Sequence, residues 1–88
     1  MTITKKFVQE HHATDCEARH WDWVDTDRTY DEAVDKLKEK WDGWFDSVRL
    51  VEKTFNSDTF DITTKVIKTT KRVYDKYCWT GAVREEKN

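Results

Sequence analysis

Between Thr29 and Trp44 (TYDEAVDKLKEKWDGW) apolar residues recur every three or four positions, at Tyr30, Ala33, Val34, Leu37, Trp41 and Trp44. That spacing places them in one stripe on a helix, with Asp35, Lys36, Lys38, Glu39 and Lys40 on the other side. Thr29 followed by Glu32 has the capping-box spacing, and Asp31 and Glu32 put negative charge at the positive end of the helix dipole. Gly43 supplies a C-terminal stop. The pattern predicts an amphipathic helix of three to four turns.

On either side of this helix the period shortens to two. In Thr2–Glu10 (TITKKFVQE), Ile3, Lys5 and Phe7 alternate with Thr4, Lys6 and Val8, as in a strand. A polar turn over His11–Asp15 leads to a second strand, Cys16–Val24, with Trp21 and Trp23 on one side and His20, Asp22 and Val24 on the other. Asp25–Arg28 forms the loop into the helix. After it, Phe45–Phe55 and Phe60–Tyr74 are rich in β-branched and aromatic residues. They are joined by the turn formers Asn56-Ser57-Asp58-Thr59, which suit a four-residue hairpin connection. With Phe55 opposite Phe60, one face of this hairpin gathers Val51, Phe55, Phe60, Ile62 and Val66 and is expected to pack on the helix. The other face carries Val48, Leu50 and Ile67 among charged residues. The expected fold is α+β, ordered β-β-α-β-β: an antiparallel sheet of about four strands with one helix across it, in a single domain over residues 1–88. Residues 81–88 are expected to be a frayed tail.

Composition narrows the picture. A chain of 88 residues has a thin core, and its five Trp, three Tyr and four Phe must supply bulk that few Leu and Ile provide. With no Pro and two Gly, phosphate-cradling glycine loops are excluded. Charged residues make up 39% and the mean hydropathy is -1.00. No apolar run approaches the roughly 20 residues of a membrane span, and MTITKKFV lacks the apolar stretch of a signal peptide. A cytoplasmic location with Cys16 and Cys78 reduced is the expectation, with no membrane partner. The net charge of -2 is unevenly spread. Acidic residues concentrate between Asp15 and Asp46, and basic ones between Lys65 and Lys76.

Four groups of residues bear on function. His11, His12, Cys16 and His20, with Cys78 more distant, are zinc-competent types. A strand would hold Cys16 and His20 about 13 Å apart, too far to share an ion, so no metal or cofactor is expected. The same thiols and imidazoles lack an orienting residue or oxyanion hole, and the chain reads as non-enzymatic. Lys65, Lys68, Lys71, Arg72 and Lys76, with Trp79, combine cations and a ring suited to nucleic acid, an alternative reading. Strand alternation divides these cations between two faces. Finally, Trp21, Asp22, Trp23, Asp25, Asp27 and Asp31 form an aromatic, acidic surface. Trp is enriched at interface hot spots, and this surface suits a basic, nucleic-acid-binding protein partner. A homodimer is also compatible with it.

The capped helix TYDEAVDKLKEKW followed by the hairpin VRLVEKTFNSDTFDITTKVIK resembles small accessory proteins of bacteriophages and mobile elements, among them anti-CRISPR and other anti-defence inhibitors. The resemblance spans Thr29 to Lys68 and carries no functional residue across. It implies a stoichiometric inhibitor that binds a host protein.

Overall fold

In the computed structural model, residues 1–17, 19–39, 44–76 and 78–87 are described. They form β1 (Thr2–Ala13), β2 (Trp21–Thr26), α1 (Tyr30–Lys38), β3 (Phe45–Asn56), β4 (Asp61–Asp75) and β5 (Cys78–Lys87). The five strands make one antiparallel sheet in the order β2-β1-β3-β4-β5. The α+β class and both expected hairpins are present, with one strand more than expected. Residues 78–87 form β5 rather than a frayed tail. The free edge of β4 over Lys68–Asp75 offers them backbone partners, and Glu85 and Glu86 lie within reach of Lys68 and Lys71. Strand β1 also runs on through His11–Ala13, which were expected in a turn, and β2 begins at Trp21 rather than Cys16.

The helix starts as its cap predicts. The Thr29 hydroxyl accepts from the Glu32 amide (3.2 Å), but the Glu32 carboxylate returns to that hydroxyl (3.1 Å) rather than to the Thr29 amide. It ends at Lys38, after nine residues. The buried guanidinium of Arg72, from β4, donates to the carbonyl of Leu37 (3.1 Å) and to that of Phe45. Leu37 O is among the last carbonyls of the helix, which need partners from outside it, and Arg72 supplies one. The expected stripe is therefore shorter. Trp44 lies outside the helix and is exposed, while Trp41 and Gly43 fall outside the described residues.

Helix α1 rests mainly on β3. Ala33 and Leu37 meet Phe45 and Val48, with Val8, Tyr30, Val34 and Val83 packed around them. This reverses the expected face of the second hairpin. The hairpin register lies two residues from the expected one, with Phe55 opposite Ile62 rather than Phe60. An even shift leaves the faces intact, so Val51, Phe55, Ile62 and Val66 still share a side. The helix covers the opposite side, because the crossover from β2 to β3 sets α1 over Val48. A bulge beside Leu50 and Val51, with Ile67 as the extra residue, keeps Lys68, Thr70 and Arg72 under the helix.

Neighbouring strands do not overlap over their whole length. Strand β2 pairs with Val8–Ala13 and β5 with Lys68–Asp75. Thr2–Phe7, Val51–Asn56 and Asp61–Val66 therefore project as a three-stranded arm, which accounts for the long 48 Å axis of the molecule. Among the described residues, no helix is long and apolar enough to cross a membrane.

Candidate functional site

Alternation along β1 and β3 sends Phe7, Gln9, His11, Arg49, Val51, Lys53 and Phe55 to the side away from α1, and no described element covers them. Strand β2 adds Trp21, Trp23 and Asp25 at one end of this face. Strand β4 adds Ile62 and Val66 at the other.

At the body end the side chains form a connected network. The His11 ring lies 5.0 Å from that of Trp21 and 4.8 Å from that of Trp23, and its Nδ1 is 2.7 Å from Asp46 Oδ1. Asp46 reaches it from the bulge that interrupts the β1–β3 register at His11 and His12. The Arg49 guanidinium sits 4.2 Å above the Trp23 ring, and its Nε donates to Gln9 Oε1 (2.8 Å). Gln9 in turn donates to Asp25 Oδ1 (2.8 Å). Burial lowers the Arg49 pKa from its ordinary value. Rings and charges are thus held in fixed positions before any ligand arrives.

At the arm end the face is apolar with two cations. Ile3, Phe7, Phe55 and Ile62 line a shallow groove of about 200 Å³ with Lys5 and Lys53. Lys53 Nζ lies 5.2 Å from the Phe7 ring. Ile3 is 44% exposed, Ile62 67% and Phe60 79%. Phe60 adopts φ 59, a left-handed conformation that a bulky residue rarely takes, and its ring lies 6.5 Å from that of Phe55. Glycine takes such a turn position without this strain.

The expected acidic surface is divided by this geometry. Trp21, Trp23 and Asp25 belong to the open face. Asp22 lies on the opposite side of β2 with Val24, and Asp27 and Asp31 are exposed in the loop and first helical turn. The six basic-strand candidates do not share a surface either. Lys68 lies 4.3 Å from the Tyr30 ring and 3.6 Å from Glu85. Lys71 pairs with Glu86 at 3.7 Å on the other side of the sheet. Arg72 is buried beneath α1 with Trp79 stacked on it at 4.8 Å, Lys65 is exposed on the arm, and Lys76 occupies a turn at φ 57.

The metal-competent residues are also dispersed. His12 faces the helix side, with Nε2 2.9 Å from the buried Glu10 carboxylate and its ring stacked on Phe45. Glu10 also accepts from Arg28 at 2.9 Å. Cys16 and Cys78 are exposed at separate places. Among the described residues, no three His, Cys, Asp or Glu side chains gather as metal ligands.

Sequence reasoning missed Lys5, Phe7, Gln9, His11, Arg49 and Lys53 as surface candidates. Their signal was present as Lys5 and Phe7 two apart in TITKKF and as Arg49, Lys53 and Phe55 at even spacing in VRLVEKTF. None of the family models, curated proteins or solved structures compared with this chain matches it.

Proposed function

We propose that this chain is a small, non-catalytic binding protein whose contact surface is the uncovered face of its sheet. One observation carries the reading: Trp21, Trp23, Phe7, Phe55 and Ile62 occupy one side of a sheet whose only helix among the described residues lies on the other. Contiguous apolar surface edged by fixed charge is what protein interfaces use, with Trp and Arg as anchors. A stoichiometric inhibitor of a host protein is the form this activity takes in the accessory proteins the sequence resembles. The acidic loop then acts at the rim, where charge affects association rate more than affinity.

Nucleic acid is the second reading, favoured by the cations that lie over rings at Lys53 and Arg49. Both are tested by immobilising the wild-type chain and the Phe55→Asp/Ile62→Asp variant in bacterial lysate, with and without nuclease. The expected result is a protein retained by the wild type, resistant to nuclease and lost with the variant. Equal retention by both chains would remove the face from the interface, and nuclease-sensitive retention would transfer the role to nucleic acid.

A further inference from the structure

We propose that the arm end of the open face takes an extended, carboxylate-bearing segment of a partner protein, added as a strand along the free edge of β1. This rests on the reading of the open face as an interface and names what seats at its border. Strand β2 pairs only with Val8–Ala13, so Thr2–Phe7 have β3 on one side and, among the described residues, no strand on the other. At roughly 3.3 Å per residue this edge is about 20 Å long and continues the line of β2. Thr2, Thr4 and Lys6 are exposed along it.

Hydrogen bonds at the two ends of β1 reveal which backbone groups the edge presents. The Ala13 amide donates to Trp44 O (2.8 Å), and Met1 O accepts from the Ser57 amide (2.9 Å), both on the β3 side. The Thr14 amide donates to His20 O (2.8 Å), on the β2 side. The irregularity at His11 and His12 places its extra residue, Asp46, in β3, so β1 alternates without interruption. Odd-numbered residues of β1 therefore turn their N–H and C=O groups to β3, while Thr2, Thr4 and Lys6 turn theirs outward. An antiparallel strand, the arrangement of all four pairings in this sheet, would exchange bonds with those three residues. Its open-face side chains would then fall opposite Ile3, Lys5 and Phe7, in the closer, non-hydrogen-bonded pairs.

Charge selects the occupant. On the open face the arm carries Lys5 and Lys53, directly opposed across β1 and β3, and no carboxylate. Neither lysine is ion-paired among the described residues. Like charges so placed repel, and a carboxylate opposite Lys5 on the added strand relieves them. Lys6, on the helix side, already stands opposite Glu52 and needs only a polar neighbour. Ile3 and Phe7 line the groove beside Lys5 and suit β-branched partners. The complementary segment thus reads apolar, polar, acidic, polar, apolar. The arm edge of β4, Asp61–Val66, lacks this bias: Asp61 offsets Lys65, and only Ile62 reaches the groove. A second copy of the β1 edge is a poor occupant, because TITKKF holds two lysines and no acid.

The test is a titration of the isotope-labelled full chain with the acetylated, amidated hexapeptide Val-Thr-Glu-Thr-Val-Thr, followed by amide shifts and hydrogen exchange. Saturable shifts should centre on Thr2–Phe7, with exchange of the Thr4 and Lys6 amides slowed. N-methylation of the peptide Thr that follows Glu, the residue opposite Thr4, should weaken binding about tenfold. N-methylation of the Glu itself, whose amide points away from β1, should change it by less than about threefold. Lys5→Glu/Lys53→Glu should weaken binding roughly fivefold or more, and replacing the peptide Glu by Lys should restore it. Absence of saturation at millimolar peptide, shifts centred on Asp61–Val66, or equal affinity for the two methylated peptides would each overturn the proposal. So would an oligothymidylate that shifts Thr2–Phe7 where the peptide does not, which would give the edge to nucleic acid. If the peptide fails while the lysate protein is still lost with Phe55→Asp/Ile62→Asp, the added strand alone falls and the interface reading stands. Retention by that variant would remove the reading itself.

Discussion

The two faces of this sheet are built from the same strands yet are finished differently. On the covered face, Val48 and Leu37 are fully buried, and the charged side chains beneath the helix are tied down. Arg72 holds two carbonyls, and Glu10 receives Arg28 and His12. On the open face, Val51 is equally buried, while Ile3 and Ile62 stand in solvent. Apolar content therefore does not distinguish the faces. The covered face is complete within one chain. Among the described residues nothing closes over the fixed rings and charges of the open face, and that incompleteness is the physical argument for a partner.

The largest expected effect comes from placing a charge on each face in turn. Leu37→Asp buries an unpaired carboxylate in the helix-side core and should unfold the protein, whereas Phe55→Asp should shift stability by less than about 1 kcal/mol in the monomer. Circular-dichroism melts of the two variants compare the faces directly; comparable losses would mean the arm is part of the core. Next in size is Arg72→Met, which leaves the carbonyls of Leu37 and Phe45 without this donor. A loss of about 2–3 kcal/mol is expected in urea denaturation, with the helix fraying from its C-terminal end.

Much of the covered face was legible in the sequence. Thr29 and Glu32 marked the helix start, the 3.6 period picked out Ala33 and Leu37, and Asn56–Thr59 marked the hairpin. The partner of the helix end was not legible, because Arg72, which donates to the Leu37 carbonyl, lies 35 residues away in sequence. Nor was the covered side. Strand β3 has Val48 and Leu50 on one face and Val51 and Phe55 on the other, and a period of two says which residues share a face, not which face a helix will cover. Strand β5 was hidden because CWTGAVREEK is polar and glycine-containing, and it becomes a strand only against the edge of β4. The open-face network escaped notice because its members are drawn from three strands, and only the observed register brings Gln9, Asp25 and Arg49 together.

Two smaller effects sharpen the contrast. Tyr30→Phe removes the hydroxyl contact with Thr70 on the covered face and should cost about 1 kcal/mol in denaturation, with no change in association. Phe60→Gly should do the reverse. Relief of the left-handed backbone should stabilise the fold by up to about 1 kcal/mol, while loss of the exposed ring weakens association through the arm. A Phe60→Gly chain that is less stable in denaturation would show that the ring serves the fold rather than the open face.

The most direct measurement is covalent footprinting of side chains in the free chain and in the chain bound to the protein it retains from lysate. Labelling of Phe7, Phe55 and Ile62 should fall in the bound chain, while Val48 and Leu37 stay protected throughout and Asp31 stays reactive. Labelling of Phe55 and Ile62 that is the same in the free and the bound chain would contradict the account, because the open face would then remain open in the presence of its partner.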